Sequence, residues 1–346
     1  MTCDAARPRA VLFRVDATPE SGLGHLQRCL SLALALRRAG AVSSFLSDGP
    51  VEARGRITEC GFEALDLGRA APWSPQDLTH TVAAAARLGV THMVVDSYYM
   101  TGDYLARLRD AGCFVAGIDD LAAYPFPCQL VVNGGAHACQ LAYRSSGDTR
   151  FLLGPRYVLL RPEFWSVPPR APRSSLRHVL IMVGGADRQN LMPGLLDLVD
   201  ACPGEFSMTA IIGPFFGHRG DLEAAVTRCR RPVRLVHCPD SVRDLMLDAD
   251  LAVSAGGQTL YELAATGTPA VAIVIAENQT ASVRALAAAG VVRAVYGVDQ
   301  ADFRERARDA IAALLQRPDD RTAMAAAGRE LVDGRGAQRV SDALLA

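Results

Sequence analysis

The chain has 346 residues, half of them apolar, with 36 Lys plus Arg against 37 Asp plus Glu and a formal net charge of −1. That length exceeds one ordinary core and suits two domains of about 150–170 residues, and the even charge balance gives no global basic field to draw in nucleic acid or anionic lipid. No apolar run approaches the ~20 residues of a membrane span, residues 1–9 lack the apolar core of a signal peptide, and the nine cysteines stand singly, as reduced thiols do, so a cytoplasmic protein without a membrane span is expected.

Short β-branched runs alternate with longer helical patterns from one end to the other. Strands are predicted at 10–15, 41–47, 92–96, 114–119 and 130–133, with helices at 25–39, 76–88 and 102–111. Four prolines (Pro162, Pro168, Pro169, Pro172) then interrupt both periodicities and mark a linker. Beyond it, strands are predicted at 178–183, 208–212, 233–237, 251–254, 270–275 and 291–295. Helices are predicted at 191–199, 220–230, 242–247, 259–265, 280–289 and 302–315. Continuous apolar runs such as Met93-Val94-Val95 suit a parallel sheet covered on both faces. The alternation implies right-handed βαβ units. The expected fold is therefore α/β, with two Rossmann-like doubly wound parallel-sheet domains facing across a cleft. Their expected spans are 1–165 and 166–346, the last helix being able to pack back on the first domain. Ligands of such sheets bind beyond the carboxyl ends of the strands.

Two strand-to-helix junctions carry chemistry. In the first, a strand ends at Val15 and a loop leads to Gly22-Leu23-Gly24. Those glycines allow a tight turn and close backbone approach. His25 then opens a helix at the carboxyl edge of the sheet, where a neutral imidazole can serve as a general base. Arg28, one turn on, is placed to meet an anionic ligand group or, equally, to be an exposed helix arginine. The motif is not a dinucleotide fingerprint, because position 27 is Gln where a third glycine would stand. In the second junction a buried strand runs into Ser254-Ala255-Gly256-Gly257-Gln258-Thr259. Small residues let backbone N–H groups face a ligand, and the helix start adds partial positive charge, so a phosphate can be held without a cation. Glu262, one turn further, is placed to accept from ribose hydroxyls. Gly184, Gly185 and Asp187 form a similar junction after strand 178–183. The Asn278-Gln279 pair offers neutral amides to sugar hydroxyls, or Asn278 caps a helix.

Other features read as structural. Asp248-Ala249-Asp250 spells a D-x-D but sits directly before a buried strand. Asp119-Asp120 end a strand, where capping the next turn is their commoner role. The remaining histidines show no metal-ligand spacing, and no P-loop motif occurs.

Seven motifs occur in order: R-x-D-A-x-x-x-x-G-x-G-H-x-x-R-C-L (14–30), V-D-S-Y (95–98), I-D-D-L (118–121), L-L-G-P-x-Y-x-L-L-R-P-E-F (152–164), G-G-A-D-x-x-N (184–190), S-A-G-G-x-T-x-Y-E (254–262) and N-Q (278–279). Together they resemble the UDP-2,4-diacetamido-2,4,6-trideoxy-β-L-altropyranose hydrolases of pseudaminic acid biosynthesis, over about residues 10–330. The resemblance implies a GT-B-like architecture, similar to the transferase that adds N-acetylglucosamine to lipid I. It implies UDP on the second domain and His25 as the base on the first. The stretch 129–137 departs from the family pattern. The expected reaction is inverting hydrolysis of a UDP-linked amino or deoxy sugar, without metal or cofactor. In it His25 activates water, and Asp96, Tyr98 and Arg28 position the sugar or the water. Gly22, Gly24, Asn278 and Gln279 are expected against the sugar, and Gly184, Gly185, Asp187, Ser254, Gly256, Gly257, Gln258, Thr259 and Glu262 against the nucleotide. A glycosyltransferase on the same fold, with an acceptor in place of water, is the main alternative. A non-catalytic UDP-sugar binder and an NAD(P)-dependent enzyme are the others. A monomer or weak homodimer is expected.

Overall fold

The β-branched runs form two all-parallel sheets in the computed structural model, which describes residues 9–17, 24–68, 71–170, 173 and 175–346. The first sheet contains β1 (Ala10–Val15), β2 (Val42–Ser47), β3 (Glu63–Asp66), β4 (His92–Asp96), β5 (Phe114–Ile118), β6 (Leu130–Asn133) and β7 (Arg150–Leu153), in the order β3-β2-β1-β4-β5-β6-β7. The second contains β8 (His178–Met182), β9 (Ser207–Ile212), β10 (Val233–His237), β11 (Leu251–Ala255), β12 (Ala270–Ile273) and β13 (Val292–Val295), in the order β10-β9-β8-β11-β12-β13. Helices α1 (Gly24–Arg38), α2 (Val51–Glu59), α3 (Pro75–Leu88) and α4 (Gly102–Asp110) connect strands of the first sheet. Helices α5 (Leu191–Asp200), α6 (Arg219–Arg228), α7 (Arg243–Asp248), α8 (Thr259–Thr266), α9 (Thr280–Ala288), α10 (Phe303–Gln316) and α11 (Pro318–Leu331) accompany the second, and α12 (Gly336–Leu345) follows.

The chain divides into two units, one of Met1–Pro162 with Gly334–Ala346 and the other of Glu163–Asp333. The first unit is thus discontinuous in sequence: α12 packs on α1, and the Arg9 guanidinium donates to the carbonyl of Leu345. In both sheets the strand order reverses beside the first strand, between β1 and β4 and between β8 and β11. Such a reversal splays the flanking loops apart and opens a crevice at the carboxyl ends. The two junctions singled out above lie at these reversals.

Burial explains why the strands form. Leu12, Phe13, Met93, Val94 and Val95 are fully buried in the first sheet, and Val179, Ile181, Val253 and Ile273 in the second. Each such side chain contributes about 1.5–3 kcal/mol when removed from water. Local signals set some helix ends: Ser74 accepts from the Asp77 N–H ahead of Pro75, and Gly89 closes α3 in the left-handed conformation. No described helix is long and apolar enough to cross a membrane.

Arg14 breaks the apolar pattern of β1 and is fully buried. Its Nη2 donates to Asp77 Oδ2 at 2.7 Å and its Nε to Oδ1 at 3.3 Å. Its guanidinium also lies over the Trp73 ring, 4.2 Å from the centroid. Asp77 further accepts from the Trp73 N–H and from the hydroxyls of Thr81 and Tyr104. Burial alone would raise the Asp77 carboxyl; the hydrogen bond and charge of Arg14 outweigh it and hold the group below its ordinary value. The network continues toward the sheet edge. Trp73 Nε1 donates to Asp16 Oδ1 at 2.9 Å, and the Ser97 hydroxyl donates to Asp16 Oδ2.

Candidate functional site

In the first unit, β4 delivers Asp96 to the sheet edge and α1 brings His25 and Arg28 over it. His25 Nδ1 lies 2.6 Å from Asp96 Oδ1. Arg28 grips the same carboxylate with two parallel bonds, Nε to Oδ2 and Nη2 to Oδ1, each 2.7 Å. Its Nη1 reaches both oxygens of Asp120, at 3.1 and 2.8 Å. The Tyr98 ring stands edge-on to the imidazole, with centroids 4.6 Å apart and planes at 83°. The Cys29 thiol completes the shell of Asp96, with its sulfur 3.4 Å from Oδ2.

These distances fix the protonation logic. Burial would raise the Asp96 carboxyl, but the charges of Arg28 and His25 overcome it and hold the group well below the usual carboxylate range. Asp96 is therefore an acceptor at any working pH. The short contact to Nδ1 assigns that nitrogen as the N–H donor, which leaves Nε2 with the lone pair. Arg28 Nη2 is also 3.1 Å from Nδ1, but two N–H donors cannot bond each other, so its partner is Asp96. A carboxylate behind an imidazole orients the ring and stabilises the imidazolium that forms when Nε2 takes a proton.

The geometry separates roles that the sequence left together. Asp96 is wholly buried and reaches His25, Arg28 and Cys29 rather than a ligand. Arg28 has its guanidinium committed to two carboxylates and only 16% of its side chain exposed. Tyr98 is 41% exposed and is the member of the group that faces outward. Asp119 accepts from the N–H groups of Leu121 and Ala122, the turn-capping role expected of it. Its neighbour Asp120 instead anchors Arg28, and nothing local in the sequence signals that. Gly24 begins α1 with open space around it, whereas Gly22 lies outside the described residues.

In the second unit, Ser254, at the end of β11, turns its hydroxyl to the carbonyl of Ala255. The N–H of Gly256 donates to Ile273 O at 2.9 Å, so it belongs to the sheet rather than to a ligand. A side chain at 256 would meet Val283 Cγ2 at 2.7 Å and Gln279 Oε1 at 2.9 Å. Glycine is required there because α9 and Gln279 pack against the turn. Gly257, by contrast, has open space, and among the described residues the N–H groups of Gly257 and Thr259 have no hydrogen-bond partner. These two amides, with Gln258 between them, are the donors the α8 N-terminus presents. Glu262 is buried one turn on.

The neighbouring loops brace this turn. Gln279 Oε1 accepts from the Ile275 N–H, and Gln189 Nε2 donates to Ile275 O at 3.0 Å. Asn278 is exposed. Gly184 takes a positive φ of 86°. Gly185 accepts from the Phe215 N–H, and a side chain at Gly213 would overlap its backbone at 2.4–2.6 Å. Asp187 spends its carboxylate on the N–H groups of Leu191 and Met192 and so caps α5. Sequence reasoning missed Gln189, Gly213 and the exposed Phe215; the Gly213-Pro214-Phe215-Phe216 run after β9 was the available signal. Replacing Gly256 with Ala is expected to destabilise the second unit by about 1–3 kcal/mol through overpacking. Thermal denaturation of the variant measures that loss.

Comparison with known proteins places the fold. No family profile matches the chain. It is 24% identical over 279 residues to the uncharacterized protein MJ1062 of Methanocaldococcus jannaschii, matching 76% of this chain and 55% of that one. It is 26% identical over 214 residues to the spore coat polysaccharide biosynthesis protein SpsG of Bacillus subtilis, matching 61% of this chain and 62% of SpsG. The chain thus spans less than two thirds of either relative. Among solved structures, Acinetobacter baumannii MurG superposes with a TM-score of 0.71 at 16% identity, covering 98% of this chain and 99% of MurG. The glycotransferase of kitacinnamycin superposes with a TM-score of 0.69 at 16% identity, again over 98% and 99% of the two chains. The chain has the GT-B fold of these glycosyltransferases.

Proposed function

We propose that the protein acts on a nucleotide-linked sugar, transferring the sugar to an acceptor whose hydroxyl His25 deprotonates. The observation that carries this reading is the His25–Asp96 pair: a buried carboxylate 2.6 Å from Nδ1 leaves Nε2 as a proton acceptor at the crevice edge of the first sheet. The GT-B fold and the glycotransferase among its structural neighbours support transfer as the reaction type. In the proposed step Nε2 takes the acceptor proton while the acceptor oxygen bonds to the anomeric carbon. The bond from that carbon to the nucleotide diphosphate breaks, the diphosphate leaves with the electron pair, and the anomeric configuration inverts. On the second unit the amides of Gly257 and Thr259, at the positive end of α8, take the charge that develops on the leaving phosphate. Glu262 takes the ribose hydroxyls, and the exposed Asn278 amide takes sugar hydroxyls.

A second reading replaces the acceptor by water, so that the enzyme hydrolyses a UDP-linked diacetamido-trideoxyhexose. The seven ordered motifs between Arg14 and Gln279 favour it, and SpsG, by its name a polysaccharide biosynthesis protein, is compatible with either reading. Proton NMR of the protein with a panel of UDP-sugars and no acceptor tests both. Slow or absent UDP release, accelerated when a candidate acceptor is added, is the result expected for transfer. Rapid release of free sugar with inverted configuration overturns transfer in favour of hydrolysis. Absence of turnover under both conditions, despite UDP binding, overturns both.

A further inference from the structure

The second unit carries another charged feature on the edge of its sheet opposite the Ser254–Thr259 turn. Asp250 precedes β11 and Pro269 precedes β12, so this edge holds the amino ends of the strands. A cavity of about 160 Å³ opens there, lined by Arg170, Arg173, Arg321 and Arg329 together with Asp250 and Gly267. The Asp248-Ala249-Asp250 run is thus part of an arginine cluster.

The Asp250 carboxylate is already spent, and the charge of Asp248 also acts on Arg170. Asp250 Oδ1 accepts from Arg173 at 3.2 Å, with Arg170 at 3.7 Å. Its Oδ2 accepts from the N–H groups of Arg177 and His178, at 2.8 and 3.1 Å. The arginines are held in place by backbone carbonyls. Arg170 reaches Met246 and Ala249 at the end of α7, Arg321 reaches Leu314 and Leu315 near the end of α10, and Arg329 reaches Pro168. Those carbonyls fix positions but supply only partial charge. Burial draws Arg170 and Arg321 below the ordinary guanidinium range, and the neighbouring charge of Arg173 adds to the effect on Arg170. The cluster is pre-positioned, and among the described residues its four arginines outnumber the carboxylates of Asp248 and Asp250.

We propose that this pocket binds a phosphate or phosphomonoester group. Its volume accommodates several waters and so a single phosphoryl group. Guanidiniums are the side chains best matched to phosphate oxygens. The proposal does not depend on the nucleotide-sugar reading, since none of these residues belongs to that site.

The test uses the full-length chain and inorganic phosphate, titrated calorimetrically at constant ionic strength up to about 10 mM, a range that detects millimolar affinity. The R173Q/R329Q variant is expected to bind phosphate at least about ten-fold more weakly, from the loss of charge-assisted hydrogen bonds. R234Q, an exposed control on β10, is expected to bind like the parent. A second measurement on the unmutated protein guards against misfolding. Phosphate should slow phenylglyoxal modification of Arg173 and Arg329 relative to chloride and leave Arg234 unaffected. Sedimentation with phosphatidic acid vesicles, against phosphatidylcholine vesicles, separates the two sources of the group. Capture that depends on Arg173 and Arg329 identifies a lipid headgroup, whereas phosphate binding without capture identifies a soluble phosphate. Equal phosphate affinity in parent and double variant, or modification rates that phosphate leaves unchanged, overturns the proposal.

Discussion

Replacing His25 with Asn is expected to lower kcat by about 10²–10⁴-fold while leaving the affinity for UDP nearly unchanged, as for loss of a general base. The reason for the split is positional. His25 stands on α1 of the first unit, whereas the amides assigned to the phosphates belong to Gly257 and Thr259 of the second. Asn fills much of the imidazole space and can still bond Asp96, but it offers no basic nitrogen. Asp96→Asn should cost a comparable factor by another route. An amide cannot counter the positive charge of an imidazolium, and it can favour the tautomer with the proton on Nε2. The equivalent exchange in the serine-protease triad costs about 10⁴. It also removes one of the two carboxylates that hold Arg28. The check is a kcat and KM series for parent, His25→Asn and Asp96→Asn on the substrate that the NMR panel identifies. Unchanged turnover in His25→Asn would sink the base assignment.

The second large effect is on stability. Arg14→Leu or Asp77→Ala leaves one member of a buried ion pair without its partner, and such losses cost about 3–5 kcal/mol. With total stabilities of about 5–15 kcal/mol, this is a large share of what holds the first unit together. At a urea m-value near 2 kcal/mol/M, the midpoint should fall by about 1.5–2.5 M. The double replacement Arg14→Met with Asp77→Leu removes both charges and should cost much less than the sum of the singles. The pH dependence has a definite sign. The Asp77 carboxyl is depressed in the folded state, so its contribution is present above the unfolded carboxylate value of about 4 and is lost as pH falls through the folded value. The Asp77→Leu background should accordingly lose part of the acid sensitivity that the parent shows.

Much of this was legible in the sequence, for physical reasons that can be named. Strands buried on both faces, such as β4 and β11, spell continuous apolar runs, and the helices between them keep a clear period. The missed strands β3 and β7 are edge strands. Glu-Ala-Leu-Asp and Arg-Phe-Leu-Leu are short and carry charge, as edges do to avoid further pairing, which also erases the signal. Helix α11 is rich in alanine, which blurs the contrast between its faces. His25 announced itself through its place after a glycine turn. Asp96, Tyr98 and Arg28 were expected beside it, but the Asp96–His25 and Arg28–Asp120 pairings were not, because Asp96 lies 71 residues away and the Arg28–Asp120 pair spans 92. No local window contains both members of either pair. At the second junction, sequence could not distinguish Gly256, whose N–H is used by the sheet, from Gly257 and Thr259.

The return of α12 to the first unit sets an order of events during synthesis. The second unit, Glu163–Asp333, is contiguous and can close its own core as soon as it has left the ribosome. The first unit cannot, because the helix that covers α1 is translated only after the whole of the second. The helix carrying His25 and Arg28 is therefore among the last parts of the protein to be locked. A nascent chain can hold a finished second unit while α1 is still uncovered.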